Sequence, residues 1–185
     1  VKALREGLAG NHVTGIYGIL NGTCNFILTT MRETGRAFAD VLKEAQDLGY
    51  AEADPAFDID GNDAAQKLAI MASIAFGIPV DEDAVYVSGI TSVSADDIAF
   101  AEELGYRIKL LGIAQQSADG IEQRVHPVMI EKASPLGQID GVTNAVEIHG
   151  SAVGTVVLTG PGAGAGPTAS AVLSDLIDLA AGRAS

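Results

Sequence analysis

Apolar and polar positions follow two different rhythms along this 185-residue chain, and the change of rhythm separates a helical first half from a strand-rich second half. Residues 2–8 have helical spacing and stop near Gly10 and Asn11. Residues 12–20 are β-branched and interrupted by glycine, which predicts a strand delivering the turn Asn21-Gly22-Thr23. Phe26, Ile27 and Met31 predict a helix over residues 25–33, closed by Gly35. Phe38, Val41, Leu42, Ala45 and Leu48 share one face of an amphipathic helix that Gly49 stops. An irregular polar stretch, residues 50–62, leads into an apolar helix over 63–76, stopped by Gly77 and Pro79. Residues 95–104 read as another helix, and 107–116, 121–130, 141–149 and 152–159 as strands of one sheet. A glycine-rich turn opens a last helix over 167–181, with Pro167 at its first position, where the missing N–H costs nothing. Helices first and strands after predict an α+β fold: a mixed, largely antiparallel sheet with helices packed on one face.

Composition narrows the function classes. Hydrophobic residues make up 48% of the chain and charged residues 19%, so disorder is excluded and one domain over residues 1–185 is expected. No apolar run approaches the length of a membrane span. The opening Val1-Lys2-Ala3-Leu4 is neither an initiator methionine nor a signal peptide, and the chain is expected to begin inside a longer protein. A single cysteine, Cys24, excludes an internal disulfide and fits a reducing cytoplasm. With no histidine near it in sequence, a structural role is expected for it. The formal net charge of −13 and the absence of a basic stripe argue against nucleic acid as a partner. His12, His126 and His149 lack ligand spacing and read as structural or surface residues, so no metal site is expected.

The most informative stretch is residues 45–67, AQDLGYAEADPAFDIDGNDAAQK, with carboxylates at Asp47, Glu52, Asp54, Asp58, Asp60 and Asp63 and a lysine at its end. Asp63 and Lys67 stand four apart on a predicted helix and therefore share a face. Apolar residues follow Lys67, so its stem is expected to lie against the core, and a partly desolvated lysine among carboxylates is a candidate acid–base group. The pattern alone leaves open a solvated acidic surface with an ordinary i,i+4 ion pair. A calcium loop is excluded, because the glycine falls at the wrong offset and the twelfth position is Ala69.

This stretch resembles the signature of homoserine dehydrogenases. That pattern runs alanine, three residues, glycine, then an Asp/Asn/Ser-Pro pair, an aspartate, an aliphatic residue, one residue, glycine, one residue, aspartate, and lysine four positions on. Ala45, Gly49, Asp54-Pro55, Asp58, Ile59, Gly61, Asp63 and Lys67 hold those places. Residues 18–27, GILNGTCNFI, and the late glycine-rich turn are also similar to family segments. The resemblance implies reversible oxidation of L-homoserine to L-aspartate-4-semialdehyde with NAD or NADP, in threonine and methionine biosynthesis. It implies an acid–base role for Lys67, substrate positions for Glu52, Asp58 and Asp63, and a pocket bordered by Gly22, Thr23 and Tyr50. It further implies a homodimer formed through the sheet. A nucleotide-binding domain, a second lysine and a sodium-binding loop are expected to lie outside this chain, leaving it poorly active alone.

The segment Gly160-Pro161-Gly162-Ala163-Gly164-Ala165-Gly166-Pro167 contains G-x-G-x-x-A between a predicted strand and a predicted helix. As a dinucleotide fingerprint it is weak, since residues 1–185 end before a second strand and an acidic ribose ligand could follow. The resemblance implies that Gly160, Gly162, Gly164 and Gly166 face the nicotinamide. A plain strand-to-helix connection stays open. So do two other readings of the whole chain: an assembly module, and a binding protein that has lost catalysis.

Overall fold

The computed structural model describes residues 1–183. A six-stranded sheet, in the order β2-β4-β3-β1-β5-β6, carries helices on one face. Its strands are β1 (Val13–Ile19), β2 (Tyr86–Val87), β3 (Tyr106–Ser117), β4 (Gly120–Glu131), β5 (Thr143–Gly150) and β6 (Gly154–Pro161). Every pairing is antiparallel except that of β2 with β4, so the expected mixed, largely antiparallel sheet is what the chain forms. The helices are α1 (Gly22–Thr34), α2 (Phe38–Asp47), α3 (Ala56–Ile59), α4 (Asn62–Phe76), α5 (Ala95–Glu103) and α6 (Ala165–Ala180). None of them, among the described residues, is long and apolar enough to cross a membrane.

The core lies between the sheet and its helical layer. Ile16, Leu110, Ala114, Val125 and Ile148 from the sheet meet Ile27, Leu28 and Met31 of α1 and Ala64, Ala65, Leu68, Ala69 and Ala72 of α4. The small residues of α4 let it lie close to the sheet. Ser94 caps α5 by accepting from the Asp97 amide, and the Asp97 carboxylate returns the bond to the Ser94 amide.

Several elements differ from the expectation. Residues 2–8 narrow to a π-helical turn at Ala3–Gly7, which buries Leu4 and Leu8 together. Helix α1 starts at Gly22, because Asn21 caps it and draws the expected turn into its first turn. The irregular stretch contains α3, and β2 pairs through only two residues, too few to leave a periodic signal. Pro167 stands third in α6, still in the first turn, where an N–H has no helical partner. Helix α6 also departs from the helical layer: none of its residues is buried, and Leu173, Leu176, Ile177 and Leu179 are exposed.

Where β1 ends, β3 and β5 continue, and a charged cluster fills the opening. Lys109, 1% exposed, donates to Asn25 Oδ1 at 2.9 Å, to the Ile139 carbonyl at 2.5 Å and to Asp140 at 3.1 Å. Arg32 grips Asp140 through both carboxylate oxygens, and Arg107 reaches it at 3.3 Å. Burial, the largest influence, and the charges of Arg32 and Arg107 lower the Lys109 pKa against the opposing contacts with Asp140. Burial alone would raise the Asp140 pKa, but the hydrogen bonds and charges of Arg32 and Lys109 hold it at about 2, against an ordinary 3.8.

The fold therefore favours ionised Asp140. That contribution is complete above about pH 4 and is lost as the pH falls through about 2. Breaking a buried pair from one side costs about 3–5 kcal/mol, and solvent access at Asp140 trims this to about 2–3 kcal/mol for Asp140→Ala. Urea unfolding of parent and variant should show that loss at pH 7, with the gap closing toward pH 2.

Candidate functional site

Four chain segments converge at the carboxyl end of β1. The strand ends at Ile19, Leu20 turns the chain, and Asn21 takes the N-cap of α1 with its Oδ1 accepting from the Cys24 amide at 2.8 Å. The other end of the same amide forks: Asn21 Nδ2 donates to Asp58 Oδ1 at 2.7 Å and to Asp63 Oδ2 at 2.9 Å. Asp58 comes from α3 and Asp63 from the first turn of α4. Gly61 caps α4 with φ 91°, a left-handed conformation that keeps the two carboxylates on one side.

Lys67 lies one turn after Asp63. Its Nζ donates to Asp63 Oδ2 at 2.6 Å and to the Leu20 carbonyl at 3.1 Å. An ammonium has three protons, so one is left for the adjoining space. The expectation of a stem against the core needs correction: the side chain is 49% exposed. Ala64, Ala65, Leu68 and Ala72 take the core face of α4, and Lys67 falls on the neighbouring strip with Asp63.

That space is a cavity of about 500 Å³. Of the residues expected from the sequence, Gly22, Thr23, Tyr50, Glu52, Asp58, Asp63, Lys67, Gly162 and Gly164 all line it. Thr23 Oγ1 donates to the Tyr50 carbonyl at 2.7 Å, and the Tyr50 ring meets Phe26 edge-on at 5.0 Å. Gly22 has to be glycine, because a Cβ there would stand 2.8 Å from the Val142 carbonyl oxygen. Gly160, next to last in β6, and Gly166, second in α6, do not reach the wall. A larger groove of about 720 Å³ between α5 and β4 brings together no residue of the 45–67 stretch.

Electrostatically the cavity sets three carboxylates, Glu52, Asp58 and Asp63, against the single ammonium of Lys67. The start of α1 adds the backbone amides of its first turn, which favour an anionic group. A small ligand with a cationic end and an anionic end suits both. Among the described residues no three His, Cys, Asp or Glu side chains are arranged to hold a metal. The glycine turn follows β6, an edge strand antiparallel to β5, whereas a dinucleotide fingerprint needs a parallel strand. The turn therefore offers glycine surface and helix-start amides, enough to border one end of a cofactor.

Of the wall residues outside the expected set, two have polar side chains: Asn21, which joins the carboxylates, and Asn144, whose Nδ2 donates to the Leu20 carbonyl at 3.0 Å. The Asn21-Gly22-Thr23 turn carried a signal for the first, since asparagine before a helix is a cap. Asn144 sits in a strand pattern and carries none. Cys24 is fully buried, with its thiol 3.2 Å from the Asp58 carbonyl. Burial first, then the charges of Asp58, Asp63 and Asp60, push that thiol far above its ordinary range. Iodoacetamide at pH 8 should leave Cys24 unmodified in the folded chain and alkylate it in urea, as read by mass spectrometry. Asn21→Ala removes the cap and the bridge between two carboxylates, and should cost about 2–3 kcal/mol in urea unfolding.

The homoserine dehydrogenase family model matches residues 1–177. Homoserine dehydrogenase of Neisseria gonorrhoeae is 58% identical over 180 residues, 97% of this chain and 41% of that protein. A crystal structure of a homoserine dehydrogenase from Thiobacillus denitrificans superposes with a TM-score of 0.95 at 57% identity, covering 96% of this chain and 41% of the other. A hyperthermophilic archaeal homoserine dehydrogenase in complex with NADPH gives a TM-score of 0.80 at 33% identity, covering 96% of this chain and 50% of the other. The chain thus spans 41–50% of the length of these relatives, and it belongs to the homoserine dehydrogenase family.

Proposed function

We propose that this chain is the substrate-binding and proton-transfer domain of a cytoplasmic NAD- or NADP-dependent homoserine dehydrogenase that interconverts L-homoserine and L-aspartate-4-semialdehyde, a step toward threonine and methionine. The observation that carries this reading is Lys67, held by Asp63 and the Leu20 carbonyl with one ammonium proton directed to a cavity of amino-acid size. The family membership supplies the chemistry.

L-Homoserine is a zwitterion with a terminal hydroxyl. Glu52, Asp58 and Asp63 supply the negative wall for its ammonium, and the α1 amides near Gly22 and Thr23 suit its carboxylate. These two anchors orient the side-chain hydroxyl toward Lys67; on oxidation the lysine, as the neutral amine, takes the hydroxyl proton, and on reduction the ammonium gives a proton to the aldehyde oxygen. Tyr50 covers one side and limits water. A bound nicotinamide cofactor supplies the hydride acceptor or donor at the substrate carbon. Gly162 and Gly164, which line the cavity, would border its nicotinamide end; Gly160 and Gly166 lie in the same segment but off the cavity wall.

The nucleotide-binding domain belongs outside this chain in this reading. The exposed apolar residues of α6 support it, since a helix with Leu173, Leu176, Ile177 and Leu179 in water lacks the partner its pattern calls for. A homodimer through the sheet is supported by the face opposite the helices, where Tyr17, Val128 and Ile130 border a small apolar cluster around Leu111 and Ile113.

The test places this chain in the Neisseria gonorrhoeae relative in exchange for its matching segment and compares the chimera with its Lys67→Ala variant. Loss of a positioned acid–base group costs about a hundredfold or more in kcat. That loss, with KM for homoserine within a few fold, is the expected outcome. Parent-like turnover would reduce Lys67 to a helix partner of Asp63 and overturn the mechanism.

A further inference from the structure

The Leu20 carbonyl oxygen accepts from two side chains: Lys67 Nζ at 3.1 Å and Asn144 Nδ2 at 3.0 Å. Leu20 links β1 to the cap of α1, outside both elements, so its peptide plane is not fixed by a helix or strand assignment. Asn144 comes from β5, the rigid neighbour of β1. Its amide is wedged between the two glycine turns of the cavity. A Cβ on Gly162 would lie 2.4 Å from Nδ2, and one on Gly22 would lie 3.4 Å from Oδ1. Rotating the amide by half a turn would set Oδ1 against the Leu20 oxygen, so the donor orientation is determined.

Asn144 Oδ1 is buried and has no hydrogen-bond partner among the described residues. We propose that Asn144 is a positioning residue for Lys67: its Nδ2 pins the Leu20 carbonyl, and that carbonyl, with Asp63, aims the remaining ammonium proton into the cavity. The inference rests on the acid–base reading of Lys67. Without the pin, the carbonyl turns, the ammonium follows it or loses one of two fixed acceptors, and the reacting proton is misdirected.

Two variants in the same chimera test this. Asn144→Leu keeps the approximate size and removes the donor. Its kcat should fall roughly ten- to a hundredfold, the range for a misaligned reacting group. KM for homoserine should stay within about threefold, and the thermal midpoint should not drop. Asn144→Asp keeps the shape; its carboxylate cannot donate, but the protonated acid can. Its kcat relative to the parent should be low at pH 8 and recover as the pH falls through protonation of the new acid. A purely structural role would produce no such recovery. Parent-like kcat for Asn144→Leu, or a pH-independent deficit in Asn144→Asp, overturns the proposal if Lys67→Ala is impaired. If Lys67→Ala is itself parent-like, the acid–base reading has failed, and the role of Asn144 falls with it.

Discussion

The buried amide of Asn21 has to satisfy three things at once. Its oxygen closes the N-terminus of α1, and its nitrogen keeps Asp58 and Asp63 together. Two carboxylates on one donor repel each other and remain adjacent only because the amide and the Lys67 ammonium share the charge. Since α1, α3 and α4 each contribute one corner, the helical layer and the site are joined at this side chain. An aspartate there would add a third negative charge, and a serine could accept from the Cys24 amide but could not fork to both acids. The amide serves as both cap and bridge because it accepts at one end and donates twice at the other.

The sheet makes this arrangement rigid. Strand β1 stops early while β3 and β5 run on, and the opening receives the first turn of α1. Asn25 secures that turn by donating to the Ile139 and Thr143 carbonyls and accepting from buried Lys109. The cluster around Asp140 sits behind the wall that carries Val142 and Asn144. Charge is buried there at a cost, and the return is a fixed position for the 139–144 segment. The two halves of the chain meet across this opening: acids and lysine from the helical half, backbone wall and glycine turn from the strand half.

Much of this was legible in the sequence. Periodicity and turn residues located α2, α4, α5 and the four long strands to within a few residues, because their apolar runs are bounded by glycine, proline and polar turns. The i,i+4 relation of Asp63 and Lys67 and the asparagine–glycine–threonine turn were readable for the same local reason. Short elements were not: α3 and β2 contain too few residues to show a period and exist because neighbours pay their ordering entropy. The π-helical turn at the start is likewise set by the space available to Leu4 and Leu8.

What the sequence by itself determined is the local chemistry: which residues carry charge, which helix face holds the lysine, where glycines permit close approach, and the family signature in residues 45–67. The tertiary structure alone decided that Asn144, far along the chain from Lys67, shares an acceptor with it, that Gly162 and Gly164 reach the cavity while Gly160 and Gly166 do not, and that Lys67 stands half in solvent. The physical reason is one of range. Helix and turn signals act over a few residues, whereas a hydrogen bond between a β5 side chain and the end of β1 depends on strand order and register, which the whole core sets.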